Sequence, residues 1–270
     1  MDQDTAMLFL THWLSGIRED LGRYVIFAVS VWLILWVLLA GVLAGRKIRP
    51  DSPPARQMLV EFAASLRSIA IFSTVGLSTF VLYRLGLLPG PKLAESWGPG
   101  WAVVSGLAMV VAHDAWFYWT HRLIHRPKLF RAFHRRHHRS NNPSPFTAYS
   151  FDIGEAVINS AFVPLWVMIV PTPWVAVDLM LLHQIVRNTI GHAGYELFPA
   201  RADGRALLPW LTSVTHHDLH HAQAGYNYGL YFTWWDKLMG TEHPQYLQRF
   251  AAAVRKPAAA NDALPGVSTI

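Results

Sequence analysis

The chain has no cysteine, which excludes disulfide bridges, thiolate metal ligands, iron–sulfur clusters and haem–thiolate chemistry built on its own side chains. Any redox metal must therefore rest on nitrogen and oxygen donors. Charge is also scarce. Asp, Glu, Lys and Arg make up 15% of the 270 residues, against about a quarter in ordinary soluble domains. With 52% hydrophobic residues and a mean hydropathy of +0.22, the composition is that of an integral membrane protein. The net charge of +6 and pI near 9.7 do not point to nucleic acid, because the Lys and Arg residues cluster beside apolar runs, where anionic lipid headgroups are the nearer partner. No nucleic-acid partner is expected.

Four stretches are apolar enough to cross or enter a bilayer. Tyr24 to Leu43 is free of charge over 20 residues, about the length required by a hydrocarbon core of roughly 30 Å. A cleaved signal peptide is the competing reading, but the run is longer than a typical apolar signal region and Asp2, Asp4, Glu19 and Asp20 spoil its basic flank. Ser68 to Leu88 is interrupted only by Arg84 and ends at Pro89-Gly90-Pro91, a strong breaker. A third run leads from Trp101 to His125; a helix of that length spans about 37 Å and emerges with His121 and His125 at its end. The fourth is a hairpin, Ala156 to Val170 and Trp174 to His192, around Pro171-Thr172-Pro173. Arg46, Lys47, Arg49 and Arg56 place the loop after the first run in the cytosol by the positive-inside rule. Counting crossings puts the end of the third run there too. Arg122, Arg126, Lys128, Arg131, Arg135, Arg136 and Arg139 independently favour the same side.

The informative residues are the histidines. His121/His125, His134/His137/His138 and His217/His220/His221 form three clusters whose i, i+3 and i+4 spacings put each on one helix face, so each reads as a multidentate claw. Asn188 and His192 are a further i, i+4 pair. His183 lies nine positions before His192 and faces nearly the other way on a straight helix, so Asn188/His192 is favoured. The expected metal set is His121, His125, His134, His137, His138, Asn188, His192, His217, His220 and His221. So many donors exceed the four of a structural zinc site, and two metals account for them better. Lone histidines such as His12 and His243 read as ordinary polar residues, and His183 and His216 are left open as further donors. Buried histidines are costly without partners, which argues against coincidence for the clusters. Asp114 and Tyr118 share a helical stripe with His121 and His125 and are expected to line the channel between bilayer and metals. Asp114, Asp218 and Glu196 are candidates to orient ligand histidines.

His121-Arg-Leu-Ile-His125, Phe133-His-Arg-Arg-His-His138 and His216-His-Asp-Leu-His-His221 resemble the three histidine boxes of the fatty acid hydroxylase/sterol desaturase superfamily of membrane di-iron enzymes. His192-Ala-Gly-Tyr-Glu196, Asn227-Tyr-Gly229, Trp235-Asp-Lys237 and Gly240-Thr241 resemble it further. The likeness covers about residues 110–241. Asn188 departs from the pattern, several relatives having histidine there. The resemblance implies two irons, dioxygen as co-substrate, and a membrane lipid, sterol or isoprenoid or fatty acyl, as the molecule hydroxylated or desaturated. These 270 residues include no stretch resembling a cytochrome b5 domain, so electrons are expected to come from a separate ferredoxin, reductase or cytochrome b5-like donor. A zinc-dependent hydrolase is the alternative, but it needs a motif such as His-Glu-x-x-His, which is absent. A metal transporter or sensor would hold its ligands at the bilayer midplane.

The expected fold is all-α, with about four transmembrane helices beneath a cytosolic helical cap that completes the metal cage. Residues 1–100 are expected to supply two membrane helices, 101–245 the catalytic domain and 246–270 a disordered tail. The location expected is a bacterial inner membrane or the endoplasmic reticulum, with the metal site on the cytosolic face.

Overall fold

Prolines mark where helices begin and end. The computed structural model describes residues 3–88 and 91–255, and within them it is all-helical, β structure being limited to isolated bridges. Helix α1 runs Gln3–Leu38, α2 Ala55–Arg84 and α3 Gly98–Ile124; all three are long and apolar enough to cross a membrane. α2 follows Pro53-Pro54, and α3 carries Pro99 in its first turn, where the missing N–H has no helical partner to lose. Two short helices follow, α4 (Pro127–Phe133) and α5 (Arg135–His138). The hairpin is α6 (Ile153–Ile169) and α7 (Trp174–Gly191), broken where Pro171 and Pro173 cannot continue the backbone ladder. The cap carries α8 (Val214–Ala222), α9 (Trp234–Leu238) and α10 (Tyr246–Arg255).

The molecule is an all-α integral membrane protein. Against the four expected crossings, three described helices meet the length and apolarity required, while α6, at 17 residues, is a shorter apolar helix. The first helix also begins earlier than Tyr24. It starts at Gln3 and lies along α2, with Trp13 Nε1 donating to Thr74 Oγ1 at 3.0 Å. Its later half leaves Ile26, Ile34, Val37 and Leu38 exposed, apolar surface suited to lipid.

The tail differs from expectation. Residues 246–255 form α10, because Tyr246, Phe250 and Ala253 make a buried stripe at helical spacing that packs with Ala206 and Leu219. The alanine-rich composition concealed that stripe. Residues 256–270 of the expected tail lie outside the described residues.

The C-terminal end of α3, the N-terminal end of α6 and the C-terminal end of α7 meet on one side of the helical bundle. The cap is tied there by backbone bonds from Ile48 N to Gly194 O (3.0 Å) and Glu196 N to Arg46 O (2.9 Å), and by Trp36 Nε1 donating to Ala193 O (2.9 Å). Arg49 adds an ion pair with Asp218 at 2.7 Å.

Candidate metal centre

Nine histidines from four segments converge into two groups. His121, His125, His134, His138 and His220 form one, and His137, His192, His217 and His221 the other; within each group the candidate donor atoms lie within 4.8 Å of one another. These are the nine histidines singled out by spacing. The sequence clusters are divided between the groups, however. His134 and His138 serve the first and His137 the second; His217 and His221 serve the second and His220 the first. Successive helical residues are about 100° apart, so an i, i+4 pair diverges by about 40° and points one way. The intervening i+3 residue, about 60° away on the other side, reaches across. Each claw therefore grips both positions.

The ring nitrogens define what can lie between them. His121 Nδ1 is 2.9 Å from Tyr228 O, His220 Nδ1 2.6 Å from Tyr226 O, and His192 Nδ1 2.7 Å from Asn188 O. A carbonyl only accepts, so these Nδ1 atoms carry the proton and each Nε2 presents a lone pair. His134 Nδ1 lies 2.8 Å from Glu155 Oε2, both side chains being buried, without hydrogen-bond geometry between them. His121 Nε2 and His134 Nε2 are 2.9 Å apart. The His121 lone pair there can be met by an N–H of His134 or by a cation held between the rings. His138 and His220 meet through Nε2 at 3.0 Å, and His217 and His192 at 2.9 Å. Imidazole–metal bonds of about 2.1 Å set at right angles separate their nitrogens by about 3.0 Å, so the donor set fits metal ions. Five nitrogens in one group exceed a tetrahedral site, as two six-coordinate ions would require.

Burial keeps these imidazoles neutral and thus competent as ligands. It holds His134, His137, His217 and His221 well below the usual histidine range, with neighbouring histidines adding to the effect. His192 and His220 are lowered to about 4, again by burial first. The unfolded chain protonates near 6.5, before the folded one, so the contribution to stability is complete above that pH and is lost as pH falls toward about 4. Metal-free protein is expected to lose about 1.4 kcal/mol per pH unit for each such histidine. Unfolding midpoints measured between pH 7.5 and 4.5 test this, and a flat profile would contradict the buried neutral cage.

The other expected site residues have structural duties. Asp114 is fully buried and accepts from Tyr231 N (2.9 Å), Phe232 N (3.3 Å) and Trp234 Nε1 (2.9 Å). It anchors the 231–234 loop and neither lines a channel nor touches a ligand histidine. Tyr118 hydroxyl pairs with Thr241 Oγ1 at 2.9 Å and receives Arg122 Nη1 at 3.3 Å, joining α3 to the cap. Helical spacing could not reveal these cap partners more than a hundred residues away. Asp218 is held by Arg49, and Glu196 accepts from Phe198 N and Thr215 N; neither orients a histidine. Asn188 Nδ2 donates to Ala148 O, while its side chain borders a small cavity shared with His217 and Gly191. His183 packs on Tyr231, with ring centroids 4.6 Å apart, and His216 lies 3.7 Å from Asp236; neither joins the groups.

The groups that do orient the ligands were missed by sequence reasoning. Glu155 lies on the membrane hairpin, with no motif linking it to His134. The Tyr226 and Tyr228 carbonyls are backbone atoms. Asp236 positions that segment by accepting from Tyr228 N at 2.9 Å and Gly229 N at 2.8 Å. Gly229 is required because a Cβ there would lie 2.5 Å from Phe232 O. The Asn-Tyr-Gly and Trp-Asp-Lys motifs were the available signal.

A helical membrane protein with a histidine-lined cage for metal defines the class. The fatty acid hydroxylase family model matches residues 106–241, and the chain belongs to that family. It is 30% identical over 191 residues to a Delta(7)-sterol 5(6)-desaturase of Gibberella zeae, a match spanning 68% of this chain and 56% of that protein. It is 30% identical over 240 residues to a methylsterol monooxygenase of Aspergillus fumigatus, covering 79% of this chain and 74% of the relative. A cholesterol 25-hydroxylase of Rattus norvegicus is 28% identical over 232 residues, covering 84% and 74%. No solved structure matches the chain significantly.

Proposed function

We propose that this protein is an oxygen-dependent lipid oxidase, hydroxylating or desaturating a sterol, isoprenoid or fatty acyl lipid that reaches the site from the membrane. Residues 101–245 form its catalytic unit and the first hundred residues contribute two membrane helices. The observation that carries the reading is the convergence of nine imidazoles into two groups whose candidate donor atoms lie within 4.8 Å of one another, with ring nitrogens as close as 2.9 Å in each group. Two irons are the proposed occupants, and Asn188 adds an oxygen donor beside His217. The family assignment supports iron over zinc.

Iron held there supplies the redox chemistry that lets dioxygen, with two electrons from a separate donor, oxidise an unactivated C–H bond. In hydroxylation one oxygen atom enters the lipid and the other leaves as water; in desaturation two hydrogens leave the lipid and both oxygens become water. The chain's residues prepare this. The Tyr226, Tyr228 and Asn188 carbonyls fix the tautomers of His220, His121 and His192, the Glu155 carboxyl packs beside His134, and the buried cage excludes bulk water. Arg126, Lys128, Arg131, Arg135 and Arg139 are exposed beside the cage. We assign them to the cytosolic face, where they complement an acidic electron carrier.

Protein purified from membranes is expected to hold about two irons per chain and to consume oxygen when given a reductant and lipid. Full turnover with zinc alone, or no oxygen uptake by iron-loaded protein, would favour the hydrolase reading instead.

A further inference from the structure

A cavity of about 410 Å³ opens between α1, α2, α6 and α7, within the size range of small-molecule sites. Its polarity is graded along the bundle. The histidine-ward ends of the lining helices supply Glu19, Asp20 and Arg23 from α1, Asn159 and Ser160 from α6, and Gln184 from α7. Toward the opposite end the walls are mainly apolar, Leu77, Phe80 and Tyr83 of α2, Val163 of α6, and Trp174 and Val177 of α7, with His12 of α1 stacked on Phe80 at 4.0 Å. Asp178 begins the second turn of α7 yet stays within electrostatic reach of Arg23 and Glu19, so it belongs to the polar cluster.

The inner wall is thin. Tyr149 hydroxyl donates to Gln184 Oε1 at 3.0 Å, the Tyr149 ring is 6.1 Å from Phe151, and Phe151 is 5.4 Å from His137 of the second histidine group. His113 also lines the cavity. It is 4% exposed, and its Nδ1 has no polar partner among the described residues.

The charges select a headgroup. Glu19, Asp20 and Asp178 are carboxylates, and the nearby Arg23 is already paired with Asp20 at 2.8 Å. A carboxylate-headed lipid would bring a fourth negative charge where Arg23 is the only arginine or lysine among the described lining residues, whereas an alcohol can donate to any of these oxygens. We propose that this groove binds a lipid alcohol head-inward, its hydroxyl among the polar groups beside Tyr149 and Gln184 and its apolar body extending toward Phe80 and Trp174. The oxidised carbon then lies near the polar head rather than at the far end of the chain. This inference rests on the lipid-oxidising reading above.

Photolabelling of the full chain in membranes tests it without requiring iron or electrons. Two sterol alcohols are used, one with a diazirine in the rings beside the hydroxyl, the other with it at the end of the side chain. The first is expected to label peptides containing Tyr149 or Gln184, and the second those containing Phe80 or Trp174. Unlabelled sterol alcohol should compete at least roughly tenfold better than a long-chain fatty acid, a gap of about 1.4 kcal/mol. Leu181→Trp, which fills the groove, should weaken both labels. Reversed labelling, labelling confined to other surfaces, or equal competition by the fatty acid would overturn the proposal. Correct labelling of a protein that holds no reducible iron would instead leave the groove standing and sink the oxidase reading.

Discussion

Replacing His137 with Ala is expected to reduce bound iron from about two to about one per chain and to lower turnover by more than about a thousandfold, since the ligands of one centre act as a unit. His138→Ala should be equally inactive but should deplete the other iron. Adjacent residues have opposite allegiances because His137 belongs with His192, His217 and His221, and His138 with His121, His125, His134 and His220. Iron analysis together with Mössbauer spectra of the two variants decides the matter: each should lose a different member of the pair. Identical residual spectra would sink the division, and two retained irons in either variant would remove that histidine from the ligand set.

The second large effect is expected at Glu155. Its carboxylate lies 2.8 Å from His134 Nδ1 with both side chains buried, and neither atom has a hydrogen-bond partner among the described residues. Glu155→Ala leaves the imidazole free to turn and to change tautomer, and should weaken iron binding or activity by about 10–100-fold, the usual consequence of losing a group that orients a metal-bound histidine. Glu155→Gln keeps an acceptor oxygen and should recover part of that loss. Iron titration distinguishes this positioning role from a packing role. Equal affinities for the Ala and Gln variants would mean that the carboxyl acts only by filling space.

These two residues show what was legible in advance. His137 announced itself, because three histidines within five positions have no inexpensive alternative to metal once they are buried together. The same local logic singled out all nine histidines that converge and set aside His12 and His243, while leaving His183 and His216 open. Glu155 gave no such signal, since the acidic residue that meets His134 comes from a separate helix. Asp114 was misread for the related reason that its stripe on α3 shows which way it faces, not what faces it. Its partners are the Tyr231 and Phe232 amides and the Trp234 indole, all brought to it by the returning cap. In α10, Tyr246, Phe250 and Ala253 had a helical stripe that alanine-rich composition obscured.

Local sequence was enough for the membrane class, the all-helical fold and the nine histidines that converge, because hydropathy and the 3.6-residue period are properties of local chain. The packing of distant segments set which of the two groups each histidine joins, which carbonyls fix the tautomers of His121, His192 and His220, and where a lipid-sized groove approaches the cage. Those outcomes depend on how separate helices cross and how the cap closes over them, and no spacing within a single segment encodes that relation.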